Sequence, residues 1–261
     1  MNISIKMLKI VTIILWIIIV FFSVTAVISA MNLGIIIGEV QIFPSGNGIT
    51  FSLPFSISND GFYEIVDLNL TTRVTDPDGI VLDLSETVIS SIPPGTNVSE
   101  SHKVTIDIND MLSMNQESLL LKDSNFMVEL FSVLDFAKVV PVQLSTNTSI
   151  PWGAPFAQLS IGQFAVSPHN TTHVEAKIPI SFENHAILDI FGTLIVEVYD
   201  NSIEQIASEK TLINVPSGYS YSENASFFVK EQDVSTLTNS GILHMIFETP
   251  MFTVDWDEQY G

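Results

Sequence analysis

The chain has 261 residues, a formal net charge of −20 and no cysteine. An acidic balance of that size argues against nucleic acid and against adhesion to anionic headgroups. The missing thiols exclude disulfides, thiolate catalysis and Cys-based metal sites. Length points to about two domains.

Residues 10–33 hold no charged side chain. About 20 apolar residues span a bilayer as a helix, and lipid leaves helix as the form that satisfies this backbone. Lys6 and Lys9 precede the run, and Glu39 is the first acidic residue after it. The positive-inside rule therefore predicts a cytoplasmic stub and transmembrane anchor over residues 1–37, with everything later outside the cytoplasm. The expected location is the cell membrane, single-pass, with the lipid bilayer as partner of residues 10–33. A signal peptide cleaved near residue 30 is the rival reading. Signal h-regions run to about 7–15 residues, and this run is longer, which favours an uncleaved signal anchor.

All 29 acidic residues lie at or beyond Glu39, with all but two of the 9 basic ones. A surface of this kind suits a salty, extracellular setting, or a cationic partner.

The residues after Gly38 can be laid over those after Gly162. Pro44 falls on Pro168, Pro54 and Asn59 on Pro179 and Asn184, and Asp76 on Asp200. Ile92-Pro93-Pro94-Gly95 matches Val215-Pro216-Ser217-Gly218, and residues 103–108 then face 226–231. Many marks in one order indicate two copies of one unit. The expected division is 38–150 for the first β-sandwich, 151–157 for a Pro-rich connector and 158–261 for the second.

Within the copies, Ile49, Phe51, Leu53, Phe55 and Ile57 alternate with small or polar residues, as a half-buried strand requires. Leu68, Leu70 and Val74 continue the habit, as do Val104, Ile106 and Ile108, and Leu194, Val196 and Val198. Turn signals fall at residues 45–48, 59–61, 76–79 and 93–95. The prediction is an all-β chain: two tandem immunoglobulin- or fibronectin-like sandwiches after one N-terminal transmembrane helix. A short helix is expected in each copy, around 109–121 and 232–239.

Residues 126–136 are apolar on both faces, which predicts a central strand covered on both sides. The functional alternative is an apolar groove for a lipid chain, built on Phe126, Phe131 and Phe136. Pro151 and Pro155 flank Trp152 in a stiff connector, with Trp152 expected to pack between the domains.

His169 and His173 have a metal-pair spacing but sit in a turn; His102, His185 and His244 stand alone. Asp76-Pro77-Asp78-Gly79 starts like a calcium loop, yet the twelfth position is Thr87 where a Glu is needed, so a tight turn is expected. Asp107, Asn109 and Asp110 read as a helix N-cap rather than a ligand set. No nucleophile elbow, phosphate loop or zinc helix is present. The reading is a non-enzyme with no catalytic residue, metal or cofactor.

Residues 53–74 with Asn59, residues 178–198 with Asn184, and the Ile92-Pro93 and Val215-Pro216 steps resemble LEA-2-like (WHy-type) domains. The segment 151–155 is similar to a connector of archaeal membrane-anchored proteins of that type. The family pattern has Asn-Pro where this chain has Asn59-Asp60 and Asn184-His185, and a generic fibronectin-like sandwich is the other reading. The resemblance implies a sandwich fold and a non-enzymatic binding or structural role: stress protection, lipid handling or assembly with a membrane-protein partner. Two alternatives stand beside it. One is a calcium-dependent adhesion or surface-layer component, suggested by the acidic tandem sandwiches. The other is an accessory subunit of a membrane enzyme.

Overall fold

The structure is a computed structural model that describes all residues except 1, 114–117, 201–203, 238–239, 251–252 and 261. It opens with helix α1 (Asn2–Met31), in which Ile5–Met31 is long and apolar enough to cross a membrane. The large apolar side chains from Ile5 to Phe21 are exposed. The hydroxyls of Thr12, Ser23 and Thr25 donate to the carbonyls of Leu8, Ile19 and Phe21, four residues back. These three hydroxyls are thus satisfied within the helix, as an apolar surrounding demands.

Sixteen strands follow among the described residues. The first eight are β1 (Leu33–Ile37), β2 (Gln41–Ser45), β3 (Gly48–Asn59), β4 (Ile65–Thr75), β5 (Val81–Ile92), β6 (Thr96–Asp107), β7 (Ser124–Phe136) and β8 (Val140–Trp152). Between β6 and β7 lie α2 (Ile108–Ser113) and α3 (Ser118–Leu121), with Asp107 Oδ1 accepting from the Asp110 N–H as an N-cap does. Of the helix expected over 109–121, residues 114–117 lie outside the described residues.

The second eight are β9 (Ala157–Ile161), β10 (Ala165–Pro168), β11 (His173–Glu183), β12 (Ile190–Asp200), β13 (Gln205–Val215), β14 (Ser220–Lys230), β15 (Gly241–Glu248) and β16 (Thr253–Tyr260). A 3-10 turn (Glu231–Asp233) and α4 (Val234–Leu237) precede β15. Of the helix expected over 232–239, residues 238–239 lie outside the described residues.

The two sets repeat one topology. In the first, β1 and β2 pair with successive halves of β3 and β6 pairs along its other side, while the facing sheet runs β5-β4-β7-β8. In the second, β9 and β10 flank β11 with β14 opposite, and the facing sheet runs β13-β12-β15-β16. All pairings are antiparallel, and period-two strands bury the inward rows between the sheets.

Turns repeat as well. Asp76 Oδ1 accepts the Ile80 N–H, and the Asp76 N–H bonds the Ile80 carbonyl. Asp200 does the same with Glu204. The sequence Asp76-Pro77-Asp78-Gly79 is therefore a turn locked by its own aspartate, with Gly79 at φ +83°.

The two cores differ. The second sandwich has one continuous cluster from Phe182 and Ile190 through Val196 to Phe247 and Tyr260. In the first, Ile49, Val104, Ile106, Phe126 and Trp152 form one cluster, and Phe55, Ile57, Ile65, Ile92 and Phe136 form another. The second of these lies at the α1 end, where Ala26 and Leu33 pack against it.

Strand β7 is central in its sheet but covered on one side. Phe126 and Phe136 are buried at its two ends, whereas Met127, Phe131 and Val133 are exposed on the outer face. The face expected to be covered is open because, among the described residues, no further layer packs outside the sheet.

Candidate functional site

Each sandwich carries the same loop socket, and each socket receives the segment that precedes it. In the first, Asn59 ends β3 and is fully buried. Its Nδ2 donates to the carbonyls of Tyr63 (2.9 Å) and Ile92 (2.8 Å), and its Oδ1 accepts the Gly61 N–H at 3.2 Å. In the second, Asn184 Nδ2 donates to Leu188 (3.0 Å) and Val215 (2.9 Å), and Oδ1 accepts the Ala186 N–H at 3.0 Å. The carbonyls of Asn59 and Asn184 accept the N–H of Gly95 and Gly218. Both glycines are in the left-handed region, at φ +73° and +77°. The asparagine singled out in the sequence is a clamp for the loop after β3 or β11.

Helix α1 docks into the first loop. Ser29 is fully buried, and its Oγ accepts the N–H groups of Phe62 (2.8 Å) and Tyr63 (3.1 Å). Thr25 Oγ1 and the Tyr63 hydroxyl share a bond of 2.7 Å, and Phe22 meets the Tyr63 ring edge-on at 5.4 Å. The Asp60 N–H donates to the Asn32 carbonyl at 3.0 Å. A Cβ on Gly61 would run into Ser29.

The connector docks into the second loop. The His185 N–H donates to the Ala154 carbonyl at 3.0 Å, the same relation as Asp60 to Asn32. A Cβ on Gly153 would run into the His185 carbonyl. Trp152 stacks on Phe126 at 5.1 Å and donates its Nε1–H to the Leu119 carbonyl at 2.8 Å. The Phe156 N–H donates to the Leu120 carbonyl, and the Leu120 side chain is buried in the second core. Pro151 closes β8 on the exposed side, and Pro155 is buried. Trp152, Pro155, Leu120, Ile190, Phe191 and Phe247 border an apolar cavity of about 250 Å³ between the sandwiches.

His185 joins the two sandwiches electrostatically. Its Nε2 lies 2.8 Å from Glu183 Oε2 and its Nδ1 lies 2.8 Å from Asp123 Oδ2. With a carboxylate on each ring nitrogen, Glu183 foremost, its pKa is raised above the usual histidine value. Asp123 is held below the usual carboxylate range by the Ala154 N–H, with His185 adding to it.

A second histidine sits inside the first sandwich. His102 is buried on β6, with Nε2 2.8 Å from Thr72 Oγ1 and Nδ1 2.9 Å from Thr87 Oγ1. Burial pushes its pKa down, against a smaller opposite pull from Asp83. The matching strand positions of the second sandwich hold Ala225, Val196, Thr211 and Ala207. This polar layer separates the two apolar clusters of the first core.

Phe126, Phe131 and Phe136 do not converge. Phe126 is in the junction-end cluster, Phe136 in the α1-end cluster and Phe131 on the outer face. His169 and His173 form the β10–β11 hairpin, where Asn170 Oδ1 accepts the Thr172 and His173 N–H groups. Among the described residues no three His, Asp or Glu side chains gather as a metal site would need. The docking contacts were hidden from sequence reasoning because Ser29 lies inside an apolar run and its partners lie more than thirty residues away. The signal that existed was Asn59 and Asn184 at matching positions.

No family model and no curated protein matches the chain. Solved structures resemble it at low scores. A transglutaminase of red sea bream aligns with a TM-score of 0.31 and 13% identity, covering 87% of this chain and 31% of its own. A β-glucuronidase from glycoside hydrolase family 2 aligns with 0.32 and 8% identity, covering 80% and 24%. The YadV chaperone aligns with 0.28 and 10% identity, covering 87% and 99%. The chain spans under a third of the length of those two enzymes.

Proposed function

We propose that this chain is a single-pass membrane protein that holds two LEA-2-like sandwiches outside the cytoplasm as a rigid, non-enzymatic binding or structural arm. The observation that carries the reading is that both joints are hydrogen-bonded. Helix α1 is bonded into the first sandwich through Ser29, Thr25 and Tyr63. The first sandwich is bonded into the second through the Leu120 carbonyl, which accepts the Phe156 N–H, and through His185, which pairs with Asp123. An arm with both joints packed presents its far surface at a set height, which suits a partner embedded in or lying on the same membrane. Lys6 and Lys9 before the run, and all 29 acidic residues after it, support the outward orientation.

The partner is a lipid or a membrane protein met by the exposed sheet faces, among them the outer face of β7 with Met127, Phe131 and Val133. The chain lacks cysteine, so single cysteines report cleanly. In intact cells, a membrane-impermeant maleimide should label Leu212→Cys and leave Met7→Cys, which keeps both lysines, unlabelled. The reverse pattern overturns the orientation. Native mass spectrometry of the full chain released from detergent, before and after delipidation, then separates the partners. A discrete retained lipid favours lipid handling, and a clean mass favours a protein partner.

A further inference from the structure

The end of the first sandwich that grips α1 carries exposed apolar side chains. The helix residues it grips belong to the stretch that is long and apolar enough to cross a membrane. Tyr63 enters from the Ser29 level, bonds Thr25 with its hydroxyl and places its ring on Phe22. Ser29 and Thr25 are one turn apart, so this side chain runs back along the helix for about 6 Å, toward the lipid.

Length gives the rest. The uncharged run begins at Ile10, after Lys9. From Ile10 to Val24, just before the Thr25 contact, the helix covers about 22 Å at 1.5 Å per residue. The hydrocarbon core is about 30 Å thick. A span that starts after Lys9 therefore cannot end before it reaches the docked loop. Either the loop lies in the outer interface, or Lys6 and Lys9 are drawn into the hydrocarbon with their amines reaching back to water.

The loop has the surface for the first arrangement. Phe62 and Val139 are 64% and 68% exposed at this end. The two tips are tied together: the Ala137 N–H donates to the Glu64 carbonyl, and Phe136 meets the Tyr63 ring at 6.0 Å. Glu64 is paired with Lys138 at 2.6 Å and held below the usual carboxylate range by that cation and by Ser91. Of the nearby acids, Asp60 is exposed, which limits entry to the headgroup level. Tyr and Phe at such a depth match the preference of amphipathic aromatic rings for the interface.

We propose that Phe62, Tyr63 and Val139 seat the first sandwich in the outer-leaflet interface, so that helix and sandwich hold the membrane jointly. This rests on the anchor reading above. The test uses the full chain in phosphatidylcholine nanodiscs, with an environment-sensitive dye on single cysteines at Phe62, Val139, Leu212 or Ile19. The expected result is several-fold brighter emission at Phe62 and Val139 than at Leu212, quenched by lipids spin-labelled near the headgroup. The proposal is overturned if both report water, as Leu212 does, while Ile19 is quenched by lipid: the helix is then inserted and the sandwich stands clear. If Ile19 too escapes lipid quenching, the anchor reading fails and the proposal with it.

Discussion

Asn59 and Asn184 close the same loop in the two sandwiches, each with two donated bonds to carbonyls and one accepted backbone N–H. Both are fully buried. Removing the amide strands polar backbone groups away from water, which costs about 1–3 kcal/mol for each group left unpaired.

Asn59→Ala and Asn184→Ala are each expected to lower stability by about 2–4 kcal/mol, read as a fall in denaturant midpoint. Asn59→Asp keeps the acceptor and loses both donors, and should be at least as damaging. A loss under about 0.5 kcal/mol at either asparagine, the range of a surface substitution, would sink the clamp assignment.

Ser29→Ala removes the acceptor of two backbone N–H groups while keeping the helix apolar. A loss of about 2 kcal/mol corresponds to roughly 30-fold faster amide exchange at Phe62 and Tyr63. Hydrogen-exchange mass spectrometry on the full chain in nanodiscs reads this directly. Unchanged exchange would mean that the loop is held without the helix.

Acid should loosen the first sandwich through His102. Its folded-state pKa lies below its ordinary value of 6.5. The unfolded chain therefore binds the proton more readily, and stability rises with pH across that interval. The contribution is complete above about pH 6.5 and is lost as pH falls from there toward the folded value. The double variant His102→Ala, Thr72→Val installs the residue types found at Ala225 and Val196. It should remove this component from urea midpoints compared at pH 7.5 and 5.5. An unchanged pH slope in the double variant would refute the assignment.

The junction should respond with the opposite sign. The pKa of His185 is raised, so its contribution is present below about pH 6.5 and lost as pH rises through the folded value. Spin labels at Val88→Cys and Leu212→Cys should give a narrower distance distribution at pH 6 than at pH 8.5. His185→Ala should be broad at both. Gly153→Ala, which places a methyl against the His185 carbonyl, should broaden the distribution and cost about 1–3 kcal/mol.

Much of the fold could be read from period and punctuation. Ile49, Phe55 and Ile57 face inward as their alternation requires, and the Asp76 turn was announced by Pro77 and Gly79. Phe131 was less legible. A strand apolar on both faces suggests two covered faces, but hydrophobicity does not say whether a second layer exists to cover them. His102 was legible in part, because aligning residues 103–108 with 226–231 puts it over Ala225. What no single sequence displays is that Thr72 and Thr87, on other strands, supply both of its bonds. Ser29 is the extreme case: in a run of apolar residues it reads as tolerated, and its importance lies wholly in partners that the chain brings back later.

Leu120 belongs to the segment between β6 and β7, yet its side chain completes the core of the second sandwich. Synthesis runs from the N-terminus, so Leu120 and the surface that holds it are made first. The second sandwich is then expected to condense against a surface already made. A fragment cut at the connector would lack one of its own core residues. The core of the second sandwich therefore reaches outside the second repeat.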